Sequence, residues 1–145
     1  MSKTVELLKQ LQADAQVLFV KFHNYHWNVE GMDFFPVHNQ TEEMYNSMAT
    51  LFDDAAERVI QLGGTPYITL AQVLSASKIK EEENNSFRSK YIVEAIVKDY
   101  EYLLDLFKQI DESADSKGDT TTSAFAQDNI ANLEKTLWML GAMLR

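Results

Sequence analysis

Four long segments of this chain place apolar side chains at steps of three or four residues, with one seven-residue step in the second, the spacing of one face of a helix. The first runs from about Thr4 to Val29 on Leu8, Leu11, Ala15, Leu18, Phe22, Tyr25 and Val29. Gly31 and Pro36 mark the turn after it. The second runs from about Phe35 to Leu62 on Val37, Met44, Met48, Phe52, Ala55, Val59 and Leu62. It stops at Gly63-Gly64-Thr65-Pro66, glycine and proline just past a helix end. The third extends to about Ala114, with Ser89 as its expected N-cap and Ile92, Ile96, Tyr100, Leu103, Phe107 and Ile110 as its stripe. Gly118-Asp119 breaks the pattern. The fourth runs from about Thr121 to Leu144 on Ala126, Ile130, Leu133, Leu137, Leu140 and Leu144.

No strand-like alternation competes with these helices, and no internal repeat is visible. Between the second and third, a short amphipathic piece from about Thr69 to Ser77 carries Leu70, Val73 and Leu74. The run Glu81-Glu82-Glu83-Asn84-Asn85-Ser86 reads as solvated loop. Four helices with one long connection predict an all-α, ferritin-like four-helix bundle, with a short extra helix in the crossover between helices 2 and 3. The 145 residues, 46% of them apolar, suit one globular domain over 1–145.

The net charge of −9 disfavours sequence-independent binding to DNA phosphates and favours attraction of cations. The chain has no cysteine, so neither a disulfide framework nor a thiolate metal site is available. Lys3, Glu6, Lys9 and Asp14 interrupt any signal-peptide core, and no apolar run approaches the roughly 18 residues of a membrane span. A soluble, cytoplasmic protein is expected.

The second helix carries two ligand-like pairs four residues apart, His38 with Glu42 and Asp53 with Glu57. At 100° per residue and with Met48 at 0°, its apolar stripe stays within about 40°. His38, Glu42, Asp53 and Glu57 fall at about 80°, 120°, 140° and 180°, pointing away from the core. Glu42 and Asp53 are roughly 16 Å apart along the axis, too far to share one small ligand within one helix. The four are symmetric about Ser47–Met48, however. A two-fold axis there sets His38 opposite Glu57 and Glu42 opposite Asp53 in an antiparallel second copy. Asn46, Ala49 and Thr50 near that axis are small enough for close approach. Imidazole and carboxylate converging from two chains suit a divalent metal such as iron. The competing reading is a polar helix face that simply meets water. His26, on the first helix about 40° from Phe22, is either a packed core residue or a further ligand. His23 reads as structural or exposed.

The stretch His26-Trp27-Asn28-Val29-Glu30-Gly31, then Val37-His38 and Glu42, resembles the signature of Dps miniferritins. So do Asp53-Asp54-Ala55-Ala56-Glu57-Arg58 with Gly63 and Pro66, and the ending Lys135-Thr136-Leu137-Trp138-Met139-Leu140. The resemblance covers essentially the whole chain and looks closest to the neutrophil-activating branch. Position 42 is glutamate where many relatives have aspartate, which leaves open whether it is a direct, bridging or indirect ligand.

The resemblance implies a hollow homododecamer with ferroxidase sites between two-fold-related subunits. There Fe²⁺ binds His26 and His38 of one chain and Asp53 and Glu57 of the other, with Glu42 assisting. Hydrogen peroxide is the preferred oxidant, and Fe³⁺ is stored as mineral, protecting against oxidative stress. Trp27, beside His26, is either a redox-active donor or a packing residue. Asp119 and Asp128 resemble the acidic lining of the family's entry pores; the alternatives are that Asp119 caps the fourth helix and that Asp128 is an ordinary solvated residue. The alternatives are a nucleoid or DNA-binding protein, or a cell-surface immunomodulatory protein. The extension before the first helix, Met1-Ser2-Lys3, offers one lysine, so DNA binding is expected to be weak or absent near neutral pH.

Overall fold

The computed structural model describes residues 2–145. Met1, the first residue of the N-terminal extension, lies outside them. Five helices follow in order: α1 (Lys3–Asn28), α2 (Phe34–Gln61), α3 (Leu70–Ala76), α4 (Ser89–Ser116) and α5 (Thr120–Met143). No strand occurs among the described residues, and the four long periodic segments are the four long helices. None is long and apolar enough to cross a membrane.

The helices pack through the stripes that the sequence carries. Leu8, Leu11, Leu18, Phe22 and Tyr25 of α1 are fully buried, as are Ile92, Leu103, Phe107 and Ile110 of α4. Met44, Met48, Ala55 and Val59 of α2 complete that core, with Ala126, Leu133 and Leu140 of α5. α1 packs on α2, α4 on α5, and α1 on α4. The Thr4 and Ser113 hydroxyls share a buried hydrogen bond of 2.6 Å, which sets the start of α1 beside the end of α4. A lone bridge between Val29 and Phe87 sets the end of α1 beside the start of α4. The connection over 62–88 therefore runs the length of the bundle, and α2 and α4 are parallel. This is the ferritin-like crossover topology.

The run over 81–86 is the solvated loop expected, exposed at all but Glu82, and it is pinned at a few points. Glu82 accepts the Tyr25 and Tyr91 hydroxyls, both at 2.9 Å, and the Asn24 amide donates to the Asn84 carbonyl at 2.9 Å. Nearer α3, the fully buried Asp14 carboxylate accepts from the Gln10 amide, the Ser77 hydroxyl, the Lys78 N–H and the Tyr102 hydroxyl.

Three local expectations are corrected. Ser89 is the first residue of α4 and not its cap; Arg88 holds the cap position and the Ser89 hydroxyl donates to Asp33 at 2.7 Å. Leu70 and Leu74 of α3 are exposed, and only Val73 of the three enters the core. Leu144 follows α5 and is also exposed.

Candidate metal centre

The site begins at the α1–α2 turn. Gly31 sits there at φ 107°, a left-handed conformation that favours glycine. A Cβ at this position would lie 2.6 Å from the Arg88 guanidinium. The tight return sets the last turn of α1 against the first turns of α2, bringing His26 and His38 together.

The two imidazoles stack with centroids 3.7 Å apart and planes at 17°. Each is held by the other's backbone. His26 Nδ1 donates to the His38 carbonyl at 2.7 Å, and His38 Nδ1 donates to the His26 carbonyl at 2.8 Å. A carbonyl can only accept, so both Nδ1 atoms carry the proton. In its neutral form each ring then presents its Nε2 lone pair, the form that binds a metal. Phe34 stacks on His38 at 4.9 Å, and Tyr45 lies edge-on to His26 at 5.2 Å. Thr41, buried between them, donates to the Val37 carbonyl at 2.7 Å.

Thr41, Phe34 and Tyr45 were not singled out from the sequence. Thr41 was detectable in principle: it lies about 20° from Met48 on the wheel, a polar residue inside the apolar stripe. Phe34 was detectable too, four residues before His38 on the same helix, whereas Tyr45 meets His26 across helices, which no local spacing reveals.

The acidic half lies farther along α2. Glu42, Asp53 and Glu57 are all exposed, while Met44, Met48, Ala55 and Val59 of the same helix are buried. The outward orientation expected from the wheel is therefore present. The Asp53 carboxylate, one turn before Glu57, raises the Glu57 carboxyl above its ordinary range by its charge and by hydrogen bonding. A cation between them relieves that repulsion. Among the described residues, no group of three or more His, Cys, Asp or Glu converges to hold a metal within one chain. The residues thus form two separate halves, an imidazole pair at one end of α2 and a carboxylate pair toward the other.

The remaining candidates divide. His23 is structural: its Nδ1 donates to the Phe19 carbonyl at 2.7 Å and its ring stacks on Tyr45 at 3.7 Å. Trp27 is 66% exposed. Asp119 caps α5, accepting from Thr122 N–H at 3.0 Å, and pairs with Arg58 at 2.9 Å. Burial alone would raise its carboxyl, but the Thr122 hydrogen bonds and the Arg58 guanidinium outweigh that and hold it below the usual range. Its carboxylate is therefore committed to structure. Asp128 is exposed on α5.

Known proteins share this architecture. The ferritin-like domain family model matches residues 5–145. The chain is 50% identical over 142 residues to the DNA protection during starvation protein of Helicobacter pylori, covering 98% of this chain and 99% of that one. The crystal structure of Helicobacter cinaedi CAIP matches with a TM-score of 0.98 at 55% identity, covering 99% of this chain and 100% of that one. The Dps protein of Vibrio cholerae O1, described as a member of a broad superfamily of ferritin-like diiron-carboxylate proteins, matches with a TM-score of 0.94 at 34% identity, covering 99% of this chain and 89% of that one. The chain thus belongs to the ferritin-like domain family, in its Dps miniferritin branch.

Proposed function

We propose that this protein is a cytoplasmic ferroxidase miniferritin that takes up Fe²⁺ as substrate, oxidises it between paired subunits and stores the ferric product. The observation that carries the reading is the reciprocal His26–His38 clamp with both Nε2 atoms available. The outward-facing Asp53 and Glu57 supply the complementary half from a second copy. Glu42, between the halves, assists one of them. The single domain over 1–145 assembles as a homododecamer whose hollow interior holds the mineral.

Neutral imidazoles bind Fe²⁺ without repelling it, and the carboxylates stabilise the extra positive charge of Fe³⁺. The preferred oxidant is hydrogen peroxide. Each molecule takes two electrons from two ferrous ions and leaves as two hydroxide ions, which the ferric product takes up. The reaction removes both reagents of hydroxyl-radical formation. DNA is then protected by that removal rather than by binding, since a net charge of −9 repels phosphate.

Stopped-flow absorbance of the ferric product tests this directly. The purified protein should accelerate Fe²⁺ oxidation over buffer, and more with peroxide than with oxygen. A rate equal to that of buffer would end the ferroxidase reading. Iron entry is assigned to a three-fold ring of Asp128, because Asp119 is held by Arg58 and Thr122. Asp128→Asn should slow uptake at low iron and low ionic strength, where screening is weak. Unchanged uptake by an assembled variant would remove Asp128 from the route.

A further inference from the structure

The three histidines differ in what their Nδ1–H groups meet. His23 donates to the Phe19 carbonyl at 2.7 Å and His38 to the His26 carbonyl at 2.8 Å, each to a backbone oxygen alone. His26 meets a carbonyl and a hydroxyl: the His38 oxygen lies at 2.7 Å and Thr41 Oγ1 at 3.4 Å. Thr41 is 1% exposed, so solvent does not compete for its hydroxyl. That hydroxyl has one proton and two lone pairs. The proton is shared between the Val37 carbonyl at 2.7 Å and the His38 carbonyl at 3.1 Å. A lone pair remains for the His26 Nδ1–H. The His38 carbonyl is in turn held from two sides, by the His26 ring and by the Thr41 hydroxyl. Packing does not call for this arrangement. Valine has nearly the shape of threonine and would fill the same place in the apolar stripe of α2, without a polar atom to satisfy.

We propose that Thr41 is a positioning residue of the iron site: its hydroxyl fixes the His38 carbonyl and backs the His26 Nδ1–H, so that the His26 Nε2 lone pair keeps one direction. The proposal rests on the metal centre of the ferroxidase reading. Thr41 itself touches no metal and acts through His26. His26 is the ligand that needs such support. It stands on α1, whereas His38, Glu42, Asp53 and Glu57 all stand on α2. Its aim is therefore set across the α1–α2 contact, and the hydroxyl joins that contact to α2. His38 has no such hydroxyl, so the two imidazoles of the clamp are not equivalent. Groups that hold the second nitrogen of a ligating imidazole fix its tautomer and orientation, and their loss lowers metal affinity about 10–100-fold. In this clamp the His38 carbonyl still holds the ring when the hydroxyl is gone, which places Thr41 at the lower end.

Zn²⁺, which has no redox chemistry, is the probe. Titration calorimetry of the assembled, metal-free protein measures the Zn²⁺ binding that the double variant His26→Ala with His38→Ala loses. Thr41→Val should weaken that binding about 10-fold, and Thr41→Ser, which keeps the hydroxyl and drops the methyl, should stay within about two-fold of wild type. Thr41→Ala repeats the loss if the valine variant does not assemble. NMR of the metal-free protein follows solvent exchange of the imidazole protons. The His26 Nδ1–H should exchange several-fold faster in Thr41→Val, with that of His38 unchanged. Equal weakening in Thr41→Ser and Thr41→Val would assign Thr41 to packing and overturn the proposal. Wild-type Zn²⁺ binding and proton exchange in an assembled Thr41→Val protein would overturn it too. Wild-type Zn²⁺ binding no tighter than that of the double histidine variant would remove the imidazoles as ligands, and the metal centre and the proposal would fall together. If Zn²⁺ binding depends on the hydroxyl but Fe²⁺ is oxidised no faster than in buffer, the ferroxidase reading alone falls and the positioning role stands.

Discussion

Replacing His26 and His38 together with alanine lowers the rate of Fe²⁺ oxidation by about 100-fold or more, at or beyond the effect of losing the groups that orient metal ligands. Both Nε2 donors vanish, and the exposed Asp53 and Glu57 carboxylates face no imidazole partner. The shell should still assemble, because the stripes that build the core do not include either histidine. Some stability is lost: the His26 and His38 carbonyls each forfeit a donor, at about 1 kcal/mol per hydrogen bond. Stopped-flow absorbance and size-exclusion chromatography separate the two effects. A wild-type rate in the assembled double variant would remove these residues from the mechanism.

The second large effect is on stability and lies away from the iron site. Asp14→Ala should cost about 3–5 kcal/mol, because several buried donors are left without an acceptor at about 1–3 kcal/mol each. The Ser77 hydroxyl, the Lys78 N–H and the Tyr102 hydroxyl all lose their acceptor in a site with no solvent exposure. These donors join the crossover and α4 to α1, so the crossover should loosen first. For a chain of this size, the loss corresponds to a fall in melting temperature of roughly 10 °C at matched protein concentration. Asp14→Asn, which keeps one acceptor oxygen, should fall between the two. Melting of Asp14→Ala within about 2 °C of wild type would show that the network contributes little.

The fold was legible because its information is local and repeated. Each long helix carries six or seven apolar residues at helical spacing, and no single misread residue disturbs that pattern. The misread positions were those where a tertiary partner outcompeted a local preference. Ser89 looks like a cap, but Asp33, on another segment, takes its hydroxyl. Leu70 and Leu74 make α3 locally amphipathic, yet none of the described residues covers them.

The site divides the same way. His38, Glu42, Asp53 and Glu57 share one helix, so angular arithmetic sufficed to turn them outward. His26 is buried and still presents a free Nε2, because the group that satisfies its Nδ1 is the carbonyl of His38 on the next helix. No spacing within α1 encodes that contact. Asp14 left a usable trace, a carboxylate four residues before Leu18 and inside the apolar stripe. Its partners at 77, 78 and 102 did not, since they reach it only through the crossover and α4.

The central claim is that one oxidation site takes imidazoles from one chain and carboxylates from another. Co-assembly of His38→Ala chains with Glu57→Ala chains tests it most directly. Each variant alone should be inactive. In a mixed pair, one site combines both defects, and the other combines the intact imidazoles of one chain with the intact carboxylates of its partner. Random pairing at equal amounts should therefore restore about a quarter of the wild-type sites, as two-fold symmetry requires. Mixed shells that remain as inactive as either parent would mean that each site draws its ligands from a single chain, and would contradict the account.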